Sequence, residues 1–262
     1  MDSGGSVIEG VRVERRGPVV DVVLQKADGY NAISYRMWCE LPGLFAELGA
    51  DPQVRGLVIS GAGRMFSSGA DISDFAQTRS TPEQVATYEE AVDRTCDAIA
   101  AVAKPVVAAI RGYCLGGACN IAMSADFRFI APDAQMGIPA AKLSIVYSAR
   151  GMARLAALVG LSQAKRIMYG GERFDAETAL RTGFADQLDA DPVAAAHAYL
   201  EGLAGNAPLS IAGSKLILNA LALGEFDAHA AEAAADRAAR SFDYAEGRAA
   251  FAAKRPPRFE GR

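Results

Sequence analysis

The chain has 262 residues, 51% hydrophobic and 22% charged. That suits one large domain, or one with a small appendage, and excludes disorder over the bulk of the sequence. Lys and Arg number 27 against 31 Asp and Glu, a net charge of −4, which argues against a nucleic-acid binder driven by phosphate neutralisation.

The opening MDSGGSVIEG lacks the basic and apolar regions of a secretory leader. No apolar run reaches the roughly 18 residues of a membrane span. We therefore expect a cytoplasmic protein without a membrane span or nucleic-acid partner. Val11, Val13 and Arg15 alternate, Gly17-Pro18 turns, and Val19 to Leu24 reads as an apolar strand. Ser34 is placed to cap a helix running to about Leu48, with Met37, Leu41, Leu44, Phe45 and Leu48 at helical spacing. A short buried strand, Gly56 to Ser60, ends in Gly61-Ala62-Gly63. Thr81-Pro82-Glu83-Gln84 carries a helix start, with a Thr cap, Pro at the first position and Gln at the third. That helix is expected to reach about Val102. Pro105 to Ile110 is wholly apolar, as in a sheet covered on both faces. A glycine-rich turn leads into a short helix ending near Ser124, and Asp126 to Ile130 is a further strand.

From Ser148 onward the sequence reads as mostly helical, with segments expected at about 150–159, 162–169, 176–182, 192–205, 208–222, 227–241 and 243–253. The Ala-rich stretch 230–239 is either a solvated helix or half of a helix pair shared with another subunit. A strand-rich core over 1–190 and a helical region over 191–262 follow. The four cysteines, Cys39, Cys96, Cys114 and Cys119, form no C-x-x-C, and His197 and His229 lie far away. Buried free thiols are expected rather than a metal site.

Two segments share one plan of apolar strand, glycine-rich turn and helix: 56–75 and 104–126. Each turn brings unpartnered backbone N–H groups to a helix start, where the helix dipole favours negative charge. Facing each other, two such turns could hold a carbonyl oxygen and stabilise it as an oxyanion. Neither matches a dinucleotide or P-loop pattern.

Taken in order, the motifs resemble the crotonase (enoyl-CoA hydratase/isomerase) superfamily over nearly the whole chain. Tyr30-Asn31-Ala32-Ile33-Ser34, Phe66-Ser67-Ser68-Gly69-Ala70-Asp71, Lys104-Pro105 with Gly112 to Gly117, Lys142-Leu143-Ser144-Ile145-Val146 and the tail from Glu246 to Arg255 each have a counterpart in that family. The resemblance implies an α/β crotonase fold: stacked ββα turns in the N-terminal core, then a helical C-terminal trimerisation region giving a homotrimer or a dimer of trimers. It implies an acyl-CoA thioester ligand, with coenzyme A part of the substrate and no separate cofactor or metal. It also implies oxyanion donors at the backbone N–H groups of Ala70 and Gly117. Ala70, Asp71, Ile72 and Ser73 would line the path of the coenzyme, and Lys254 would reach its nucleotide end.

The sequence departs from the family at the acid/base positions. The two hydratase glutamates fall on Asn120 and Ala140, neither of which transfers a proton at neutral pH. Each acid/base group contributes roughly 10²–10⁴-fold, so efficient hydration is not expected. Tyr147 and Ser148 stand where some relatives place a tyrosine or an acid, and are the candidate replacements for an isomerase or decarboxylase. The alternative packs Tyr147 and uses Ser148 as a helix cap. A non-catalytic fatty acyl-CoA-binding protein fits the same residues. Asp71 is expected to hold its loop, and Asp74 to be a surface charge.

Overall fold

The computed structural model describes residues 8–26 and 30–262; most of the opening segment read above for a leader lies outside them. β1 (Val11–Arg16) and β2 (Val19–Leu24) form a hairpin across the Gly17-Pro18 turn. α1 (Tyr35–Ala50), β3 (Gly56–Gly61), α2 (Phe75–Thr78), α3 (Pro82–Ala101), β4 (Val106–Ile110), β5 (Tyr113–Leu115), α4 (Gly117–Ser124), β6 (Phe127–Ile130) and β7 (Gln135–Gly137) follow. Then come α5 (Ala149–Gly170), β8 (Arg173–Asp175), α6 (Ala176–Thr182), β9 (Gln187–Leu188), α7 (Pro192–Leu203), α8 (Pro208–Leu223), α9 (Ala228–Ala239) and α10 (Phe242–Ala252). The two helices expected over 150–159 and 162–169 are the two halves of α5, separated by the non-helical Gly160.

The main sheet runs β1-β2-β3-β4-β6-β9, parallel except for the first pair. Every residue of β2 and β4 is buried. This explains their apolar runs, interrupted only by Asp21 in β2, since a sheet covered on both faces has no solvent side. A second sheet has the order β5-β7-β8. Isolated bridges extend it, pairing Ile33 with Ala70 and Ser67 with Cys114. The chain therefore repeats one move, a strand in the main sheet, a short extended piece in the second layer, then a helix. This is the stacked ββα arrangement expected.

Two local contacts fix the walls of the later site. Ser34 caps α1, its hydroxyl accepting from Met37 N–H at 3.2 Å. Pro42 sits inside α1 and has no N–H for the carbonyl of Trp38 one turn earlier. The hydroxyl of buried Thr95, on α3, donates to that carbonyl instead at 2.7 Å. Trp38 is thereby held between two helices. α3 begins with the full capping box, Thr81 and Gln84 each bonding back to the other's backbone.

The C-terminal helices are attached differently. Lys215 is the one buried residue of α8, ion-paired with Asp126 at 2.8 Å and donating to the Lys104 carbonyl at 3.1 Å. α9 buries none of its residues. Leu216, Leu218, Leu221 and Phe226 are exposed.

Candidate active site

The second layer determines the site. The segment after β3 lies along β5 as an extra strand: Ser67 N–H donates to Tyr113 O at 2.8 Å, and Leu115 N–H to Ser67 O at 3.2 Å. Ala70 and Gly117 each follow this Ser67–Cys114 bridge by three residues, so their N–H groups emerge side by side from adjacent segments. A Cβ built on Gly117 would lie 3.5 Å from Ala70 N. Among the described residues neither N–H has a protein acceptor. Two neighbouring amides with no internal partner, one at the first turn of α4, are chemically able to hold a carbonyl oxygen gaining negative charge.

Glycine is required at two points here. Gly69 has φ +93°, and a Cβ on it would stand 2.3 Å from Leu115 O. Gly116, the residue before α4, has φ 53° and ψ −119°, backbone that L side chains rarely adopt. Asn31 secures the first loop from beneath. It is buried, with φ 53°, and its amide donates to the carbonyls of Ala62 at 2.9 Å and Met65 at 2.8 Å.

The donors open into a cavity of about 230 Å³. Ala70, Ile72, Gly117, Asn120, Ala140 and Tyr147 all line it, so six of the ten residues singled out from the sequence meet there. Ala140 is buried at the 3₁₀ turn Pro139–Leu143 after β7. Asn120 faces in from α4. Burial pushes the Tyr147 hydroxyl well above the usual tyrosine range, with nearby thiols and the Glu89 carboxylate adding to the shift. It is therefore a hydrogen-bond donor rather than a base.

Four residues from the sequence reading lie elsewhere. Ser148 caps α5, accepting from Gly151 N–H at 3.1 Å, and its own hydroxyl donates to Asp93 at 2.7 Å. Asp71 holds its loop, accepting from Ser73 N–H and O–H at 3.0 and 2.7 Å and pairing with Lys26. Burial opposes ionisation of Asp71, but Lys26 and Ser73 outweigh it, and the carboxyl titrates below the usual range. Ser73 is exposed beside it. Lys254 is exposed beyond α10 with φ 50° and does not line the cavity.

Two expectations change. Asp74 is no free surface charge, because it is half-buried and accepts from Tyr35 N–H at 2.9 Å. Cys39 is exposed, whereas the other three thiols are buried. His197, given no chemistry in the sequence reading, meets buried Asp21 at 2.7 Å beneath α7 and does not line this cavity.

The sequence reading missed one wall entirely. Trp38 from α1 and Phe75, Arg79, Tyr88 and Glu89 from α2 and α3 also line the cavity. Arg79 and Glu89 are ion-paired at 2.6 Å. The guanidinium lies over the rings of Phe75 and Tyr88, 5.0 and 4.7 Å from their centroids. Burial raises the Tyr88 hydroxyl far above the usual range, and the nearby Trp38 indole and Arg79 only partly oppose this. The buried face of α3, Tyr88, Val92 and Cys96 at helical spacing, was the available signal.

Known proteins share this architecture. The family model described as enoyl-CoA hydratase/isomerase matches residues 14–262. The chain belongs to this family, the crotonases. A Mycobacterium tuberculosis protein named a probable enoyl-CoA hydratase is 32% identical over 243 residues, covering 93% of this chain and 96% of that one. A carnitinyl-CoA dehydratase of Citrobacter koseri is 31% identical, covering 97% and 99%. Among solved structures, an enoyl-CoA hydratase/isomerase family protein from Hyphomonas neptunium superposes with a TM-score of 0.91 at 33% identity, covering 97% of this crotonase and 98% of that chain. The expected fold class and helical C-terminal region are those of the family. Among the described residues no helix is long and apolar enough to cross a membrane.

Proposed function

We propose that this crotonase binds an acyl-CoA and polarises its thioester carbonyl between the N–H groups of Ala70 and Gly117, without efficient hydration. The convergence of those two unpartnered amides on one cavity carries the reading. Donors held in place act on the bound ester and more strongly on the enolate, so they serve both recognition and catalysis. Hydration further needs groups that deliver and accept protons around one water. Asn120 and Ala140 supply neither.

A second reading has one observation in its favour. Tyr147 lines the cavity with its proton firmly held, so it can donate to a developing enolate or carboxylate, as an isomerase or decarboxylase requires. Ser148 is a weaker candidate because its hydroxyl already donates to Asp93. Asp71, Ile72 and Ser73 are proposed to border the coenzyme path. Lys254 is proposed to reach the coenzyme within an assembled homotrimer or dimer of trimers in the cytoplasm, coenzyme A being part of the substrate rather than a separate cofactor. The exposed leucines of α8 and the unburied α9 support assembly through these helices.

The test is the absorbance of a conjugated acyl-CoA on binding. Carbonyl polarisation between two N–H groups predicts a shift to longer wavelength. Saturable binding with an unshifted spectrum would remove the oxyanion assignment.

A further inference from the structure

The cavity lacks an acid at Asn120 and at Ala140, yet one carboxylate lines it. Among the described residues on its walls, Glu89 of α3 is the one acid and Arg79 the one cation. The hydroxyls of Ser68, Tyr88 and Tyr147 and the Trp38 indole keep their protons at neutral pH. The Asn120 carboxamide does not titrate there either. Glu89 is therefore the one side chain in the cavity able to accept a proton at neutral pH and give it back.

Its placement suits that task. Tyr88, Val92 and Cys96 belong to the buried face of α3, and Glu89 stands at the edge of it, with 27% of its side chain exposed. The Arg79 side chain, only 10% exposed, holds Glu89 Oε1 at 2.6 Å and is itself stacked on Phe75 and Tyr88. Glu89 Oε2 accepts no hydrogen bond among the described residues, which leaves its lone pairs for an incoming proton. The charge of Glu89 is felt by the Tyr147 hydroxyl, whose upward shift it increases. A cavity of about 230 Å³ keeps these walls close to the Ala70 and Gly117 amides. A thioester carbonyl seated on those amides becomes a better electron sink, and the hydrogens it acidifies most are those on C2 beside it. One base and one electron sink suffice to remove and return such a proton. They do not suffice for hydration, which needs a second group to work on the water.

We infer that Glu89 is the catalytic base of this cavity, taking the C2 proton of a bound acyl thioester onto its carboxylate and returning it. The C–H electron pair becomes the C1–C2 π bond, and the carbonyl π pair moves onto the oxygen between the two amides. Return of the proton to C2 restores the ligand. Where the chain has a double bond at C3–C4, return to C4 instead moves that bond to C2–C3. Nothing is oxidised or reduced, and no water is consumed. The inference rests on the acyl-CoA reading above and adds the group that moves the proton, on a helix that holds neither of the positions compared with the hydratase glutamates.

Incubation of the full-length protein with 3-butenoyl-CoA in D₂O tests this. Absorbance reads its conversion to crotonyl-CoA, and mass spectrometry reads the deuterium taken up. The wild type should convert and label the thioester faster than buffer alone. Glu89→Gln keeps the shape and removes the base, so it should slow both by about 10²-fold or more, while crotonyl-CoA still binds with its spectral shift. Arg79→Leu breaks the same ion pair but keeps the carboxylate, and should lose less than about tenfold. If Glu89→Gln proves unfolded by circular dichroism, Glu89→Asp carries the test. It keeps the charge but draws the base back by one methylene, and should lose at least about tenfold. Three results would overturn the inference: a wild-type rate no greater than that of buffer although crotonyl-CoA binds, a folded Glu89 variant as fast as the wild type, or a loss in Arg79→Leu equal to that in Glu89→Gln. If neither thioester bound more tightly than coenzyme A alone, the acyl-CoA reading itself would fail, and this inference with it.

Discussion

Gly69 holds the geometry of the proposed oxyanion site. Its φ of +93° and the 2.3 Å approach of a would-be Cβ to Leu115 O leave no room for a side chain. Gly69→Ala must therefore twist the loop out of the left-handed region or push it away from β5. Strain of this kind is of order 1–3 kcal/mol. We expect urea denaturation to show a loss of about 2 kcal/mol, together with loss of the spectral shift of a bound conjugated acyl-CoA. Unchanged stability with an intact shift would mean that the loop is held by other contacts. At this scale much of the site was legible. Phe66 to Asp71 and Gly112 to Gly117 showed in the sequence as glycine-rich turns between apolar strands and helices, and the missing acids at Asn120 and Ala140 could be read only through the family resemblance. Arg79 and Glu89 could not. They lie ten residues apart in sequence, and nothing in either residue's local pattern says that they form one ion pair on a cavity wall.

At the level of elements, α1 and α3 hold that wall together. Pro42 removes the N–H that would satisfy Trp38 O, and the Thr95 hydroxyl replaces it at 2.7 Å. Thr95→Val conserves shape and leaves a buried carbonyl unpaired, which costs about 1–3 kcal/mol. Denaturation should show a loss in that range, and tryptophan fluorescence should shift, because the protein has a single Trp. A neutral substitution would show that the α1–α3 packing does not need this bond. The long elements were legible for ordinary reasons. β4 is a continuous apolar run and β2 is one but for Asp21, and α3 announces itself through its capping box. The strands of the second layer were not. β5, β7 and β8 have three residues each, too few for any alternation to register, and each depends on a neighbour brought from far along the chain. The bridges at Ile33–Ala70 and Ser67–Cys114 are shorter still, yet they bring the two donors together.

For the whole molecule, the contrast between core and tail sets the expectation. The central strands β2, β3 and β4 bury all their apolar side chains. By contrast, α8 leaves Leu216, Leu218 and Leu221 exposed, and α9 buries nothing. Ala-rich and Leu-bearing faces gain apolar burial by packing on a partner. Sedimentation equilibrium at micromolar concentration should show trimers or hexamers, and monomers alone would contradict assembly through these helices. The Ala-rich sequence left a solvated helix and a subunit contact equally open, because one chain's sequence does not say which face another copy will cover.

The central claim is that an intact oxyanion site operates here without the acid pair needed to hydrate. Two acids working on one water are not additive, and the pair acts mainly as water crosses the double bond, so its loss should fall on kcat. Restoring both glutamates also brings two carboxylates into one small cleft, where burial and mutual repulsion raise their pKa values. The decisive measurement is the steady-state hydration rate of crotonyl-CoA by the wild-type protein beside Asn120→Glu, Ala140→Glu and the double variant. The account predicts detectable crotonyl-CoA binding and slow turnover in the wild type. Either single change should give a small gain, and the double variant should exceed the product of the two by reaching at least about 10²-fold over wild type. Wild-type turnover as fast as that of a two-glutamate hydratase, with no gain in the double variant, would contradict it.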